Sequence, residues 1–107
     1  MERAPLVLVL VLRDGYPVSP GHTLVIPRRH VGSFFAATPV EREAILDAIV
    51  RVKRTLDELH APPGYNVGLN DGPAAGQTVA HCHVHVIPRY AGDVEDPRGG
   101  VLLPGSL

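Results

Sequence analysis

Apolar residues change spacing along the chain, and the changes mark out the elements. Pro5-Leu6-Val7-Leu8-Val9-Leu10-Val11-Leu12 is an unbroken run of eight residues, far short of the roughly 20 that cross a bilayer but long enough for a buried strand, which it predicts. Arg13-Asp14-Gly15-Tyr16-Pro17 and Ser19-Pro20-Gly21 have turn composition. The short β-branched stretch His22-Thr23-Leu24-Val25-Ile26-Pro27 predicts a second strand, paired antiparallel with the first. Basic Arg28-Arg29-His30 follows, and Phe34 and Phe35 form an apolar hook expected to pack under the next element.

That element is a helix. Thr38, Pro39 and Glu41 form a capping box with proline at the first helical position. Ile45, Ile49, Val52, Leu56 and Leu59 recur every three or four residues as one apolar stripe, with Arg42, Asp47, Arg51, Lys53, Arg54 and Glu58 outside it. Such a helix lies on a sheet, its charged residues in solvent. It stops near His60, because Pro62-Pro63-Gly64 cannot continue it. Extended structure resumes at Tyr65-Asn66-Val67-Gly68-Leu69, and Asn70 to Gly76 is a long turn. Beyond Arg89 the Gly92–Gly100 stretch reads as a loop, and Val101-Leu102-Leu103-Pro104 as a short edge piece.

The chemistry concentrates in His81-Cys82-His83-Val84-His85-Val86-Ile87. As a strand, the run places His81, His83 and His85 on one face and Cys82, Val84 and Val86 on the other, with successive histidines about 6.6 Å apart. Three imidazoles in that array, beside Gly76-Gln77-Thr78, suit successive parts of one phosphate compound. A metal is the rival reading, since a His-x-His pair can chelate. Second ligands are scarce, however: Asp71 is ten residues upstream, Asp93 and Glu95 fall in the later loop, and Cys82 faces the core side.

Composition narrows the classes. The 107 residues suit one domain, 1–107, and 45% hydrophobic with 20% charged residues is the balance of a globular protein. A net charge of −1 gives no footprint for a nucleic-acid polymer or an anionic membrane. One cysteine forbids an internal disulfide and permits a reducing, cytoplasmic setting. The amino-terminal run is not read as a signal peptide, since Arg13-Asp14-Gly15 stands where a small-residue cleavage site belongs.

The His81–Ile87 run resembles the signature of the histidine triad (HIT) superfamily, three histidines alternating with apolar residues. Pro20-Gly21-His22-Thr23-Leu24-Val25-Ile26-Pro27 looks like a second block of that family. Asn70 stands at a matching distance before the triad, and Gly76-Gln77-Thr78 matches its Gly-Gln-Ser/Thr. Pro88-Arg89-Tyr90-Ala91-Gly92-Asp93 is more similar to the fragile histidine triad branch, whose substrates include diadenosine polyphosphates, than to the nucleoside phosphoramidase branch.

The resemblance implies an α+β fold with an antiparallel sheet of about five strands and one long helix. It also implies a sheet continued across a homodimer, with Tyr65 to Leu69 at the boundary. The activity implied is nucleotidyl hydrolysis or transfer at an α-phosphate, on a nucleotide or dinucleotide substrate. His83 would be the nucleophile, its other ring nitrogen donating to a fixed acceptor such as a backbone carbonyl. His81 and His85 would donate to phosphate oxygens, and backbone N–H groups around Gly76 to Thr78 would form an anion nest. Gln77 would reach the bridging oxygen or leaving group, Thr78 a phosphate and Asn70 the phosphate or ribose. Asp14 would accept from the ribose hydroxyls, and His22, the family's fourth histidine, would support the triad. Arg89 would meet a polyphosphate tail or form a surface salt bridge. No cofactor is required, and magnesium would enter only with the substrate. Hydrolase, phosphorylase and a nucleotide-binding sensor with incidental turnover all use these residues. Family members commonly have a longer amino end that supplies part of the base pocket, so a shortened start and altered base selectivity are expected.

Overall fold

The computed structural model describes residues 8–98, and the edge piece expected at Val101 to Pro104 lies outside them. Four strands form one antiparallel sheet in the order β1-β2-β4-β3, where β1 is Val9–Arg13, β2 Thr23–Pro27, β3 Gly64–Gly68 and β4 Val84–Arg89. The 22-residue helix α1, Pro39–His60, covers one face. This is the α+β architecture expected, with four strands among the described residues.

The two periodicities decide which face is core. In β2, Thr23, Val25 and Pro27 are buried while Leu24 and Ile26 are only partly so. Val25, Val84 and Val86 pack against Ile45, Ala48, Val52 and Leu56 of α1. Burying each large aliphatic side chain contributes roughly 1.5–3 kcal/mol. The stripe is shorter than the sequence suggested, because Leu59 is 61% exposed. Of the aromatic hook, Phe34 packs against the core and Phe35 is 75% exposed.

Both helix ends follow local chemistry. The Thr38 hydroxyl accepts from Glu41 N at 3.1 Å, and the Glu41 carboxylate accepts from Thr38 N at 2.8 Å. Arg29 donates to the same carboxylate at 2.8 and 2.9 Å, and these bonds hold the Glu41 carboxyl down at about 2. The segment leaving β2 is thus tied to the start of α1. At the other end Ala61 is left-handed, φ 45°, ahead of the two prolines.

Gly21 fixes the entry to β2. Its φ is +92°, and a Cβ there would lie 3.0 Å from His60 Cδ2 and 3.1 Å from both Leu56 Cδ2 and Pro88 Cγ. Gly21→Ala should therefore destabilise the fold by about 1–3 kcal/mol, the range for backbone strain of this kind. Thermal unfolding followed by circular dichroism measures it, and an unchanged melting temperature would contradict the reading.

Candidate functional site

The histidine run is not one strand. Hydrogen-bonded pairing begins at Val84, opposite Val25, so β4 carries His85 while His81 and His83 stand on the bend before it. One long-range and one local bond shape the bend: Cys82 N donates to Val31 O at 2.7 Å, and His83 Nδ1 donates to His81 O at 2.8 Å, two residues back. An extended chain would hold that ring nitrogen away from the carbonyl. The rings are consequently closer than strand spacing predicts, with 5.2 Å between the centroids of His83 and His85.

The hydrogen bonds assign the tautomers in turn. His22 Nδ1 accepts the Val18 N–H at 3.0 Å, so the His22 ring hydrogen sits on Nε2. That atom is 2.9 Å from His85 Nδ1 and 3.3 Å from Asp14 Oδ2. His85 therefore accepts at Nδ1 and, when neutral, carries its hydrogen on Nε2. Burial above all, with His22 and His83 adding to it against Asp14, pushes the His85 ring down to about 4. Near neutral pH it is an uncharged donor. His85 Nε2 is buried and has no partner among the described residues, which is the condition of a group that awaits an acceptor.

His83 has the opposite polarity. With Nδ1 donating to His81 O, its Nε2 is left with a lone pair. His81 donates Nε2–H to the Pro27 carbonyl at 2.8 Å. All three triad side chains, with Asp14, Leu12, Leu24, Ile26 and Val79, line a cavity of about 340 Å³ on the sheet face opposite α1. Gly68, opposite His85 in the β3–β4 register, adds no side chain to that face.

Asp14, His22 and His85 are the one group of ligand atoms close enough together, within 4.8 Å, to suggest a metal among the described residues. The donor set does not fit one. While the Val18 N–H occupies His22 Nδ1, His22 Nε2 holds a hydrogen and offers no lone pair.

The family model for the HIT domain matches residues 6–92. The chain belongs to the HIT family. Among curated HIT relatives it is 39% identical over 80 residues, 75% of this chain, to a protein of Schizosaccharomyces pombe named bis(5'-nucleosyl)-tetraphosphatase [asymmetrical]. It is also 39% identical over 87 residues, 80% of this chain, to one of Mycobacterium tuberculosis named AP-4-A phosphorylase. The chain spans 44% and 45% of those two proteins' lengths. A crystal structure of a HIT family protein from Bacillus anthracis superposes with a TM-score of 0.77 at 40% identity, covering 80% of this chain and 61% of that one.

Other site residues of the HIT pattern fall differently from expectation. Gln77 is spent on the loop: its Oε1 accepts from Gly72 N at 2.7 Å, and its Nε2 donates to Gly32 O at 2.8 Å and Val79 O at 2.9 Å. The anion nest is likewise not formed by Gly76 and Gln77, whose N–H groups turn inward to Pro73 O and Gly72 O. The short 3-10 turn Pro73–Ala75, closed by Gly76 at φ +97°, requires both bonds. Thr78 is exposed, and Asn70 is buried beneath Gly76, whose Cβ would sit 3.7 Å from Asn70 Nδ2. Arg89 is buried and pairs in two-point fashion with Asp93, at 3.0 Å twice. The salt bridge expected of Arg89 is therefore present, with both side chains largely out of solvent. Leu12, Leu24 and Ile26 escaped the sequence reading as site residues, although strand alternation around Val25 marks them as the face away from the helix.

Proposed function

We propose that this chain binds a nucleotide derivative in the histidine-lined cavity and cleaves it at the α-phosphate, with diadenosine polyphosphates and nucleoside phosphoramidates as the substrate types. The observation that carries the reading is the pairing of polarities. His83 Nε2 has a free lone pair because His81 O holds the other nitrogen. The neighbouring His85 has a buried N–H without a partner among the described residues. One ring suits attack and the other suits a non-bridging phosphate oxygen.

In the first step the bond from His83 Nε2 to phosphorus forms as the bond to the bridging atom breaks. That atom leaves with its electron pair and takes up a proton. Water then attacks phosphorus, the nitrogen–phosphorus bond breaks, one water proton goes to solvent, and the nucleoside monophosphate departs. Asp14 receives the ribose, Leu12, Leu24, Ile26 and Val79 wall in the base, and Asn70 and Thr78 complete the phosphate surroundings, while His81, whose Nε2–H is given to Pro27 O, braces the loop that carries His83. Gln77 acts through the loop it braces. No protein-bound metal is needed, and a divalent cation enters only as the counter-ion of a polyphosphate.

Names among the relatives favour both resolutions of the intermediate, by water in the tetraphosphatase and by phosphate in the phosphorylase. Two copies are proposed to join along β3, which ends the sheet. Among the described residues no helix is long and apolar enough to cross a membrane, and the proposed setting is the cytoplasm.

The test is a panel of diadenosine tetraphosphate and adenosine 5′-phosphoramidate, incubated with and without inorganic phosphate and analysed by mass. AMP is expected from both. ADP in its place when phosphate is present would identify a phosphorylase, and intact substrates throughout would overturn the proposal.

A further inference from the structure

We infer that Arg89, anchored by Asp93, is a positioning residue: its buried guanidinium, absent from the cavity lining, holds the His22 ring in the neutral form whose Nε2–H orients His85. For its bearing on catalysis this rests on the reading under Proposed function.

Arg89 closes β4, and the register brings that end of the strand to His22. Thr23 stands opposite Val86, so His22 falls opposite Ile87 and Gly21 beside Pro88, where a Gly21 Cβ would be 3.1 Å from Pro88 Cγ. Alternation along β4 puts His85, Ile87 and Arg89 on the face that His22 shares. Two further bonds staple the segment before His22 to this end: Ser19 Oγ donates to the Pro88 carbonyl, and the Tyr90 hydroxyl donates to the Pro20 carbonyl at 2.9 Å. Within that segment His22 N donates to Ser19 O at 3.1 Å and Val18 N donates to His22 Nδ1 at 3.0 Å. The end of β4 thus carries the loop that carries His22.

Charge at this position is unevenly placed. Arg89 Nε and Nη2 donate to Asp93 at 3.0 Å each, and Asp93 also accepts from Tyr90 N at 3.1 Å. The Arg89 side chain is 8% exposed and that of Asp93 20%, so the negative end of the pair is the better screened. Arg89 Nη1 is buried and has no partner among the described residues. A guanidinium held there at a desolvation cost acts on its neighbours through a poorly screened field.

Among the described residues, the groups facing His22 are Asp14, with Oδ2 3.3 Å from Nε2, His85, 2.9 Å from the same atom, Arg89, and His60 where α1 ends against Gly21. Burial above all holds the His22 ring below the ordinary histidine value, with Asp14 acting against it and Arg89 with it. Protonation would put a hydrogen on Nδ1, against the Val18 N–H. The ring would lose the bond that fixes its plane, and with it the direction of the hydrogen given to His85 Nδ1. A cation beside the ring opposes this without touching substrate.

Nitrogen-15 shifts of the His22 ring, followed against pH in protein without substrate, test the role. Arg89→Gln, whose amide can still donate to Asp93, should raise the midpoint of His22 protonation by about one pH unit, a ten-fold gain in proton affinity. Arg89→Lys keeps the charge and should titrate close to wild type. Asp93→Asn strips the balancing carboxylate and should lower the midpoint; it decides the question where Arg89→Gln does not fold. In turnover, the acid limb of kcat should move with the midpoint in Arg89→Gln while KM stays nearly constant. An unmoved midpoint in Arg89→Gln, an equal rise in Arg89→Lys, or no lowering in Asp93→Asn would overturn the role. Failure of the nucleotidyl reading is distinguishable, because the titration uses no substrate, and wild-type protein that released no AMP would count against that reading alone.

Discussion

Replacing His83 with alanine should lower AMP release by about 10³-fold or more, the scale seen when a nucleophile is removed and only the binding groups remain, while the Kd for AMP should change by no more than about three-fold. The reason lies in how the ring is held. Its Nδ1 is bonded to His81 O at 2.8 Å, so the imidazole offers one lone pair, at Nε2, in a fixed plane. Alanine deletes that lone pair and leaves His85, Asp14 and the apolar wall intact. Rapid quenching of wild-type protein with diadenosine tetraphosphate should show the mass of a nucleotidyl adduct, which digestion places on the peptide containing His83. His83→Ala should show none. A variant that retains most of the wild-type rate, or an adduct mapped to His81 or His85, would end the covalent role.

How much of this was legible in the chain depends on the range of the interaction concerned. The helix was readable because its signals are local: Thr38, Pro39 and Glu41 cap it by contacts within three residues, and Pro62 and Pro63 stop it. Strands β1 and β2 and their antiparallel pairing were readable from two apolar stretches flanking a turn. The triad was recognisable as a group, but its shape was not. Alternation predicted one flat row, whereas Cys82 N to Val31 O, a contact across 51 residues, draws the chain into a bend and brings the rings nearer than a strand would. Gln77 misled for a similar reason. A glutamine beside a glycine reads as a ligand contact until Gly32, 45 residues away, supplies the carbonyl that occupies it. Arg89, by parity on the histidine face, was captured by Asp93 only because the following turn closes back on it. Missing from the sequence altogether was the Val18 N–H on His22, since no side chain announces a backbone donor.

That donor leads to the second large effect, His22→Ala, which should lower kcat by about 10²-fold, the scale for losing one aligned donor to a developing phosphate charge, with KM nearly unchanged. His22 is absent from the cavity lining and would act through His85, as a positioning residue. With Nδ1 occupied by Val18 N–H, its Nε2–H must point at His85 Nδ1, 2.9 Å away, and that bond keeps the His85 hydrogen on Nε2. Without it the His85 ring can hold its hydrogen on either nitrogen, and Nδ1–H facing the space left by the imidazole would present a lone pair to the phosphate instead of a donor. Repulsion would replace attraction at the atom where charge builds up. His22→Gln separates this from simple loss of packing, because the amide nitrogen can donate to His85 Nδ1 while the amide oxygen is an acceptor of the kind the Val18 N–H requires. The glutamine variant should recover at least about ten-fold of the lost kcat. Nitrogen-15 chemical shifts of the His85 ring read the tautomer directly: Nε2–H in the wild type and in His22→Gln, a mixture in His22→Ala. Equal rates in the two variants, or a single Nε2–H tautomer in His22→Ala, would show that the Asp14–His22–His85 chain does not set the direction of the proton at the site.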